Sequence, residues 1–112
     1  MATKEAVIKG LDKVRAKFED RGVQTAFQGF NKSVQFLFPD LNVAYVMTVT
    51  GGVVTDFREG AVKTLGILLS MDSETFLGIQ NKELVGATAL GQGKITITGI
   101  VGDLLLLEKY LV

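Results

Sequence analysis

The chain has 112 residues, enough for one domain with a core of its own. Its 12 basic and 12 acidic side chains cancel, a poor match for nucleic acid, where neutralised phosphates dominate affinity. It has no cysteine and no histidine, so disulfide and thiol chemistry are excluded and the commonest general base and metal ligand are missing.

The first predicted element is a helix from a cap at Thr3 to about Asp20. Val7, Ile8, Leu11, Val14 and Phe18 fall at i, i+3, i+4, i+7 spacing and form one apolar stripe, with lysines on other faces. Gly22 suits the position just past the helix end. From Ser33 the period changes to two: Val34, Phe36 and Phe38 alternate with Ser33 and Gln35 as a strand over residues 33–38. Pro39-Asp40-Leu41-Asn42 is a turn. A second strand alternates through Val43, Tyr45, Met47 and Val49, Gly51-Gly52 is a hairpin signal, and a third strand occupies residues 53–58. The three read as an antiparallel meander.

Residues 64–71 form a fourth strand, apolar on both faces and therefore placed centrally. Asp72 caps the next helix, with Glu74 favouring its dipole and Phe76, Leu77 and Ile79 on its inner face. Asn81 is expected to stop that helix in the left-handed conformation. A short helix over residues 82–90 carries Leu84, Val85, Ala87 and Leu90, and Gly91-Gln92-Gly93 releases the chain into a fifth strand over residues 94–98. Residues 103–112 are apolar and predicted helical. On a helix, Leu104-Leu105-Leu106-Leu107 sweeps roughly 300°. The four leucines cannot all face one core.

With glycine counted and tyrosine left out, roughly 57% of the chain is apolar, where ordinary domains sit near 45–50%. The surplus points to a ligand cavity, a subunit interface or a membrane-facing patch. No run approaches the roughly 18 apolar residues that a membrane-spanning helix needs. The charged start, MATKEAVIKGLDK, is unlike a secretory signal, and the end carries no peroxisomal tripeptide. The cytoplasm is the expected compartment.

Motifs for catalysis are weak. Gly91-Gln92-Gly93-Lys94 resembles a phosphate loop only superficially, because Thr88 and Ile95 stand where the pattern needs Gly and Ser or Thr. Asp56 with Glu59, and Asp72 with Glu74, are carboxylate pairs without the contrasting environments acid–base work requires. No catalytic residue, metal ligand or cofactor is expected.

Residues 65–99 read LGILLSMDSETFLGIQNKELVGATALGQGKITITG. This order of apolar strand, acidic cap, helix with a Phe-Leu pair, Ala-containing helix, Gly-Lys step and alternating strand ending in Gly resembles the sterol carrier protein type-two, or non-specific lipid-transfer, domain. The residues that carry it are Ile67-Leu68-Leu69-Ser70-Met71, Asp72, Phe76-Leu77, Ala87, Gly93-Lys94 and Ile95 to Gly99. Upstream, a lone helix, a strand at residues 33–38 and the Gly51-Gly52 hairpin also fit. The chain departs from the family at Asn81, where many members have Gly, and at Gly99-Ile100, where many have Gly-Asp.

The resemblance implies one α+β domain over residues 1–112. Its mainly antiparallel five-stranded sheet has helices packed on one face and encloses an apolar tunnel. It implies a non-enzymatic carrier of a fatty acid, fatty acyl-CoA, phospholipid or sterol. Phe36, Phe38, Ile67, Leu69, Met71, Phe76, Ile79, Leu84, Leu90, Leu104 and Leu107 are the expected lining, residues that periodicity alone reads equally as ordinary core. The expected partners are a lipid ligand and, transiently, a membrane, without nucleic acid. The chain would act as a monomer or homodimer. The alternatives are a homodimeric interaction module that buries the C-terminal leucines, and an accessory domain of a lipid-metabolising enzyme.

Overall fold

The computed structural model describes residues 3–60 and 66–110. The elements in chain order are α1 (Lys4–Lys17), α2 (Arg21–Ala26), β1 (Asn31–Phe38), β2 (Val43–Thr50), β3 (Val53–Glu59), β4 (Ile67–Met71), α3 (Ser73–Gln80), α4 (Gly86–Gly91), β5 (Ile95–Gly99) and α5 (Val101–Tyr110).

Thr3 caps α1, its hydroxyl accepting from the Ala6 amide at 3.2 Å. The helix ends at Phe18 rather than near Asp20, because Asp20 caps a second helix that the apolar pattern did not reveal. The Asp20 carboxylate accepts from the amides of Gly22 at 2.7 Å and Val23 at 3.2 Å. Gly22 therefore sits in the first turn of α2 instead of terminating α1. The Gly51-Gly52 hairpin turn has φ of 59° and 84°, the left-handed pair that a two-residue connection requires.

The sheet order is β3-β2-β1-β4-β5. Three pairings are antiparallel, and β1 with β4 is parallel, from Val34 opposite Ile67 to Leu37 opposite Ser70. The sheet is thus mixed, with β4 between β1 and β5 as its two-sided apolar sequence requires; Thr64 and Leu65 lie outside the described residues. A bulge interrupts β2–β3 pairing between Thr48 and Val49.

Two carboxylates hold the start of α3. Asp72 accepts from the Thr75 amide at 2.8 Å, and Asp40, from the β1–β2 turn, accepts from the Ser73 amide at 3.0 Å and from its hydroxyl. At the other end Asn81 stays at φ −87°, and the left-handed residue is its neighbour Lys82 at φ 61°. The Gly78 carbonyl accepts from the Glu83 and Leu84 amides. That wrap consumes residues 81–84, so α4 starts at Gly86 and not at Lys82. Helix α5 begins at Val101, two residues earlier than its composition predicts; residues 111–112 lie outside the described residues.

The core joins one face of the sheet to the helices. Val34, Phe36 and Phe38 of β1, Val43, Tyr45, Met47 and Val49 of β2, and Ile67, Leu69 and Met71 of β4 alternate onto it. They meet Val7, Leu11 and Val14 of α1, Phe27, Phe76 of α3 and Ala89 of α4. Gly10 lets α1 lie against α3: a Cβ there would come 2.6 Å from Phe76 Cε2.

Candidate functional site

Six of the eleven predicted lining residues come together in one apolar layer. Phe36, Phe38, Ile67, Leu69, Met71 and Phe76 are each at most 3% exposed and belong to one cluster. The strand pleat accounts for the first five, since each points to the helix-covered face by alternation, and Phe36 pairs with Leu69 across the parallel seam. Phe76 enters from α3 and packs edge-on against Phe38 at 5.3 Å and Phe36 at 6.2 Å between ring centroids.

Ile79 and Leu84 are half-buried at the margin of this layer. Leu90 lies outside it, 37% exposed, because the late start of α4 turns Ala89 inward in its place. The side chains of Leu104 and Leu107 fall outside the described residues; on the same helix Leu106 packs on the core and Leu105 faces solvent.

The layer extends beyond the predicted residues to Val34, Tyr45, Met47 and Val49. Their signal was the same period-two alternation, read two residues back on β1 for Val34 and one strand further for Tyr45, Met47 and Val49. Tyr45 carries a phenol into this apolar setting. It is 2% exposed, stacks on Phe57 at 6.0 Å, and its hydroxyl has no hydrogen-bond partner among the described residues. Burial raises its pKa above the usual value, and the Glu59 carboxylate adds to the effect. Glu59 itself pairs with Lys4 at 3.2 Å and raises the lysine's pKa through that hydrogen bond.

Two of the open surface clefts lie near this core, and no residue of the layer lines either. One of about 350 Å³ lies between α1, α2 and β3, with Phe18 and Val54 on its apolar side and Asp12, Arg15 and Glu19 on its polar side. The other, of about 300 Å³, lies at the start of α3 and includes Leu84 and Lys94. Both have apolar and charged side chains in their walls. On β1, Lys32 forms a 2.6 Å ion pair with Asp103 of α5. No group of three or more carboxylates able to hold a metal ion occurs among the described residues, and none of their helices is long and apolar enough to cross a membrane.

No family model and no curated protein matches the sequence. Solved structures do match. Sterol carrier protein 2 like 2 from Aedes aegypti aligns with a TM-score of 0.73 at 16% identity, covering 96% of this chain and 98% of that one. Sterol carrier protein 2 from the same mosquito, solved as a complex with palmitate, aligns at 0.71 and 18% identity, covering 98% and 96%. The stereoselective inverting sec-alkylsulfatase of a Pseudomonas species aligns at 0.64 and 22% identity over 79% of this chain; the match spans only 14% of the sulfatase. The five-stranded mixed sheet, its helices and its chain-long alignment with the mosquito carriers together show that this protein has the sterol carrier protein 2 fold.

Proposed function

We propose that this protein binds one long-chain lipid, a fatty acid, fatty acyl-CoA or comparable amphiphile, in a tunnel between sheet and helices, and carries it through the cytoplasm without chemical change. The observation that carries this reading is the apolar layer of β1, β4 and α3, in a fold that has been solved with palmitate. The acyl chain separates the helices from the sheet and replaces ring-to-ring contacts with ring-to-chain contacts. About ten buried methylenes contribute roughly 8 kcal/mol before the costs of association. Micromolar affinity then needs no strong polar anchor, and discrimination by chain length is weak. Ile100 and Leu105, 64% and 61% exposed, are assigned to transient membrane contact.

Titration with a fluorescent acyl probe, competed by palmitate below its micelle concentration, tests the proposal. Saturable, competed binding is expected, and absence of competition refutes it. A Phe76→Ala variant localises the site: a lining role changes acyl affinity in the folded protein, and a pure core role changes stability alone.

A second reading, an accessory unit of a lipid-metabolising enzyme, is favoured by the alkylsulfatase, in which the aligned portion is a small part of the chain. Native mass spectrometry separates these readings from the homodimeric module: co-purified lipid supports the carrier, and a dry dimer supports an interaction role.

A further inference from the structure

We propose that Lys32 receives the carboxylate of a long-chain fatty acid and that Asp103 of α5 occupies that position until the ligand displaces it. The inference rests on the lipid-binding reading above and adds the group that recognises the head. Lys32 and Arg58 are the cations within the described strands. Arg58 stands opposite Val46, on the face away from the helices, exposed and beside Asp56. Lys32 shares its face with Val34, Phe36 and Phe38 and stands opposite the fully buried Val49, so its side chain rises from the apolar layer itself.

The surroundings of Lys32 fix its stem and leave its head reachable. A Cβ at Gly66 would come 2.4 Å from Lys32 Cβ and 2.8 Å from its Cδ, so the aliphatic stem lies flat on the approach to β4. The ammonium stands 5.9 Å from the Phe30 ring centroid and 2.6 Å from Asp103 Oδ2. The lysine side chain is 36% exposed and the aspartate 16%, so the cation can be approached while its present partner is screened. Asp103 reaches it from 71 residues away in sequence. It presents to the margin of a greasy layer what a fatty acid would present there, a carboxylate on an apolar support.

Exchange of one carboxylate for another conserves the charge on Lys32 and frees Asp103 to water. The tie between α5 and β1 is then cut, and the contact of Leu106 with the core becomes easier to open. Head-group recognition and loosening of α5 are one event.

The test compares palmitate with the uncharged alcohol of equal chain length, each displacing a neutral acyl fluorophore from the wild-type protein, Lys32→Gln, Lys32→Arg and Asp103→Asn. Lys32→Gln should weaken palmitate about tenfold, equivalent to about 1.4 kcal/mol, and leave the alcohol unchanged. Lys32→Arg should keep the preference for the acid. Asp103→Asn, with the cation intact and its competitor removed, should tighten palmitate severalfold and the alcohol less. If the wild-type protein binds neither compound, the lipid-carrier reading fails. If it binds both and the acid-to-alcohol ratio is the same in Lys32→Gln, the pair is merely structural and the proposal is overturned. Should Lys32→Gln not fold, absence of tighter palmitate binding in Asp103→Asn overturns it independently.

Discussion

Replacing Gly10 with alanine sets two physical effects against each other. In an exposed helix interior the change stabilises by about 1 kcal/mol, because glycine has more backbone freedom to lose. At Gly10 the added methyl would stand 2.6 Å from Phe76 Cε2, 3.3 Å from its Cζ and 3.4 Å from Gln80 Cγ. The ring cannot step aside cheaply: Phe76 is 1% exposed and wedged against Phe38 and Phe36. Overpacking of this kind costs about 1–3 kcal/mol. On top of it comes any loss of the two edge-to-face contacts, about 0.5–1.5 kcal/mol each. Steric cost should exceed the propensity gain, leaving a net destabilisation of about 1–2 kcal/mol. Urea denaturation followed by far-UV circular dichroism measures it, with the midpoint falling and the slope unchanged. Gly10→Ala in a Phe76→Leu background supplies the control: with the ring edge gone, alanine should be neutral or stabilising. A more stable Gly10→Ala single variant would show that α1 does not press on α3 as described.

Asp72→Ala should lower stability by about 0.5–2 kcal/mol in the same assay, since the Thr75 amide loses its acceptor, while the relative preference among lipids stays as it was. Asp40→Ala should cost about 1–3 kcal/mol because Ser73, fully buried, is left with an unpaired hydroxyl and amide; an unchanged midpoint would remove Asp40 from the α3 cap. Tyr45→Phe should raise stability by about 1 kcal/mol near neutral pH, because it removes a buried hydroxyl that has no partner. It should also flatten the alkaline limb. Burial raises the phenol's pKa, so the folded chain keeps a proton that the unfolded chain has released, and stability falls as pH rises through about 10. Thermal melts of both proteins on either side of that pH check this, and identical alkaline slopes would contradict it.

Features encoded by near neighbours in the chain were legible in the sequence. The strand alternation at Val34, Phe36 and Phe38, the caps Thr3 and Asp72, and the Gly51-Gly52 turn each depend on a few adjacent residues. Helix α2 escaped because six residues are too few for a helical period, and Gly22 imitates a stop. The shift from Asn81 to Lys82 at the end of α3, and the late start of α4, follow from the wrap onto the Gly78 carbonyl, which side-chain pattern does not encode. Partners distant in sequence were equally silent: nothing near Asp40 announces Ser73, and nothing near Lys32 announces Asp103. Periodicity put Phe36 and Phe38 on one face, and the structure brings Ile67, Leu69, Met71 and Phe76 onto the same layer. Periodicity marks apolar surface, however, and not the empty volume beside it, so core and ligand wall have the same signature.

The single parallel seam has a consequence for how the chain reaches this state. On one side of it lie β3, β2 and β1, linked by short antiparallel turns; on the other lie β4 and β5, paired antiparallel across two short helices. Each side forms from contacts close in sequence, and neither completes the apolar layer alone. Val34 and Ile67 must find each other across more than thirty intervening positions, so loop-closure entropy is spent before their burial returns it. Zipping of β1 against β4 is accordingly expected to be the late, rate-setting step, a φ-value prediction for Val34 and Ile67. Until it occurs, both halves show water the greasy surface that in the finished protein faces inward, and that interval is when a chaperone has most to hold and aggregation most to seize.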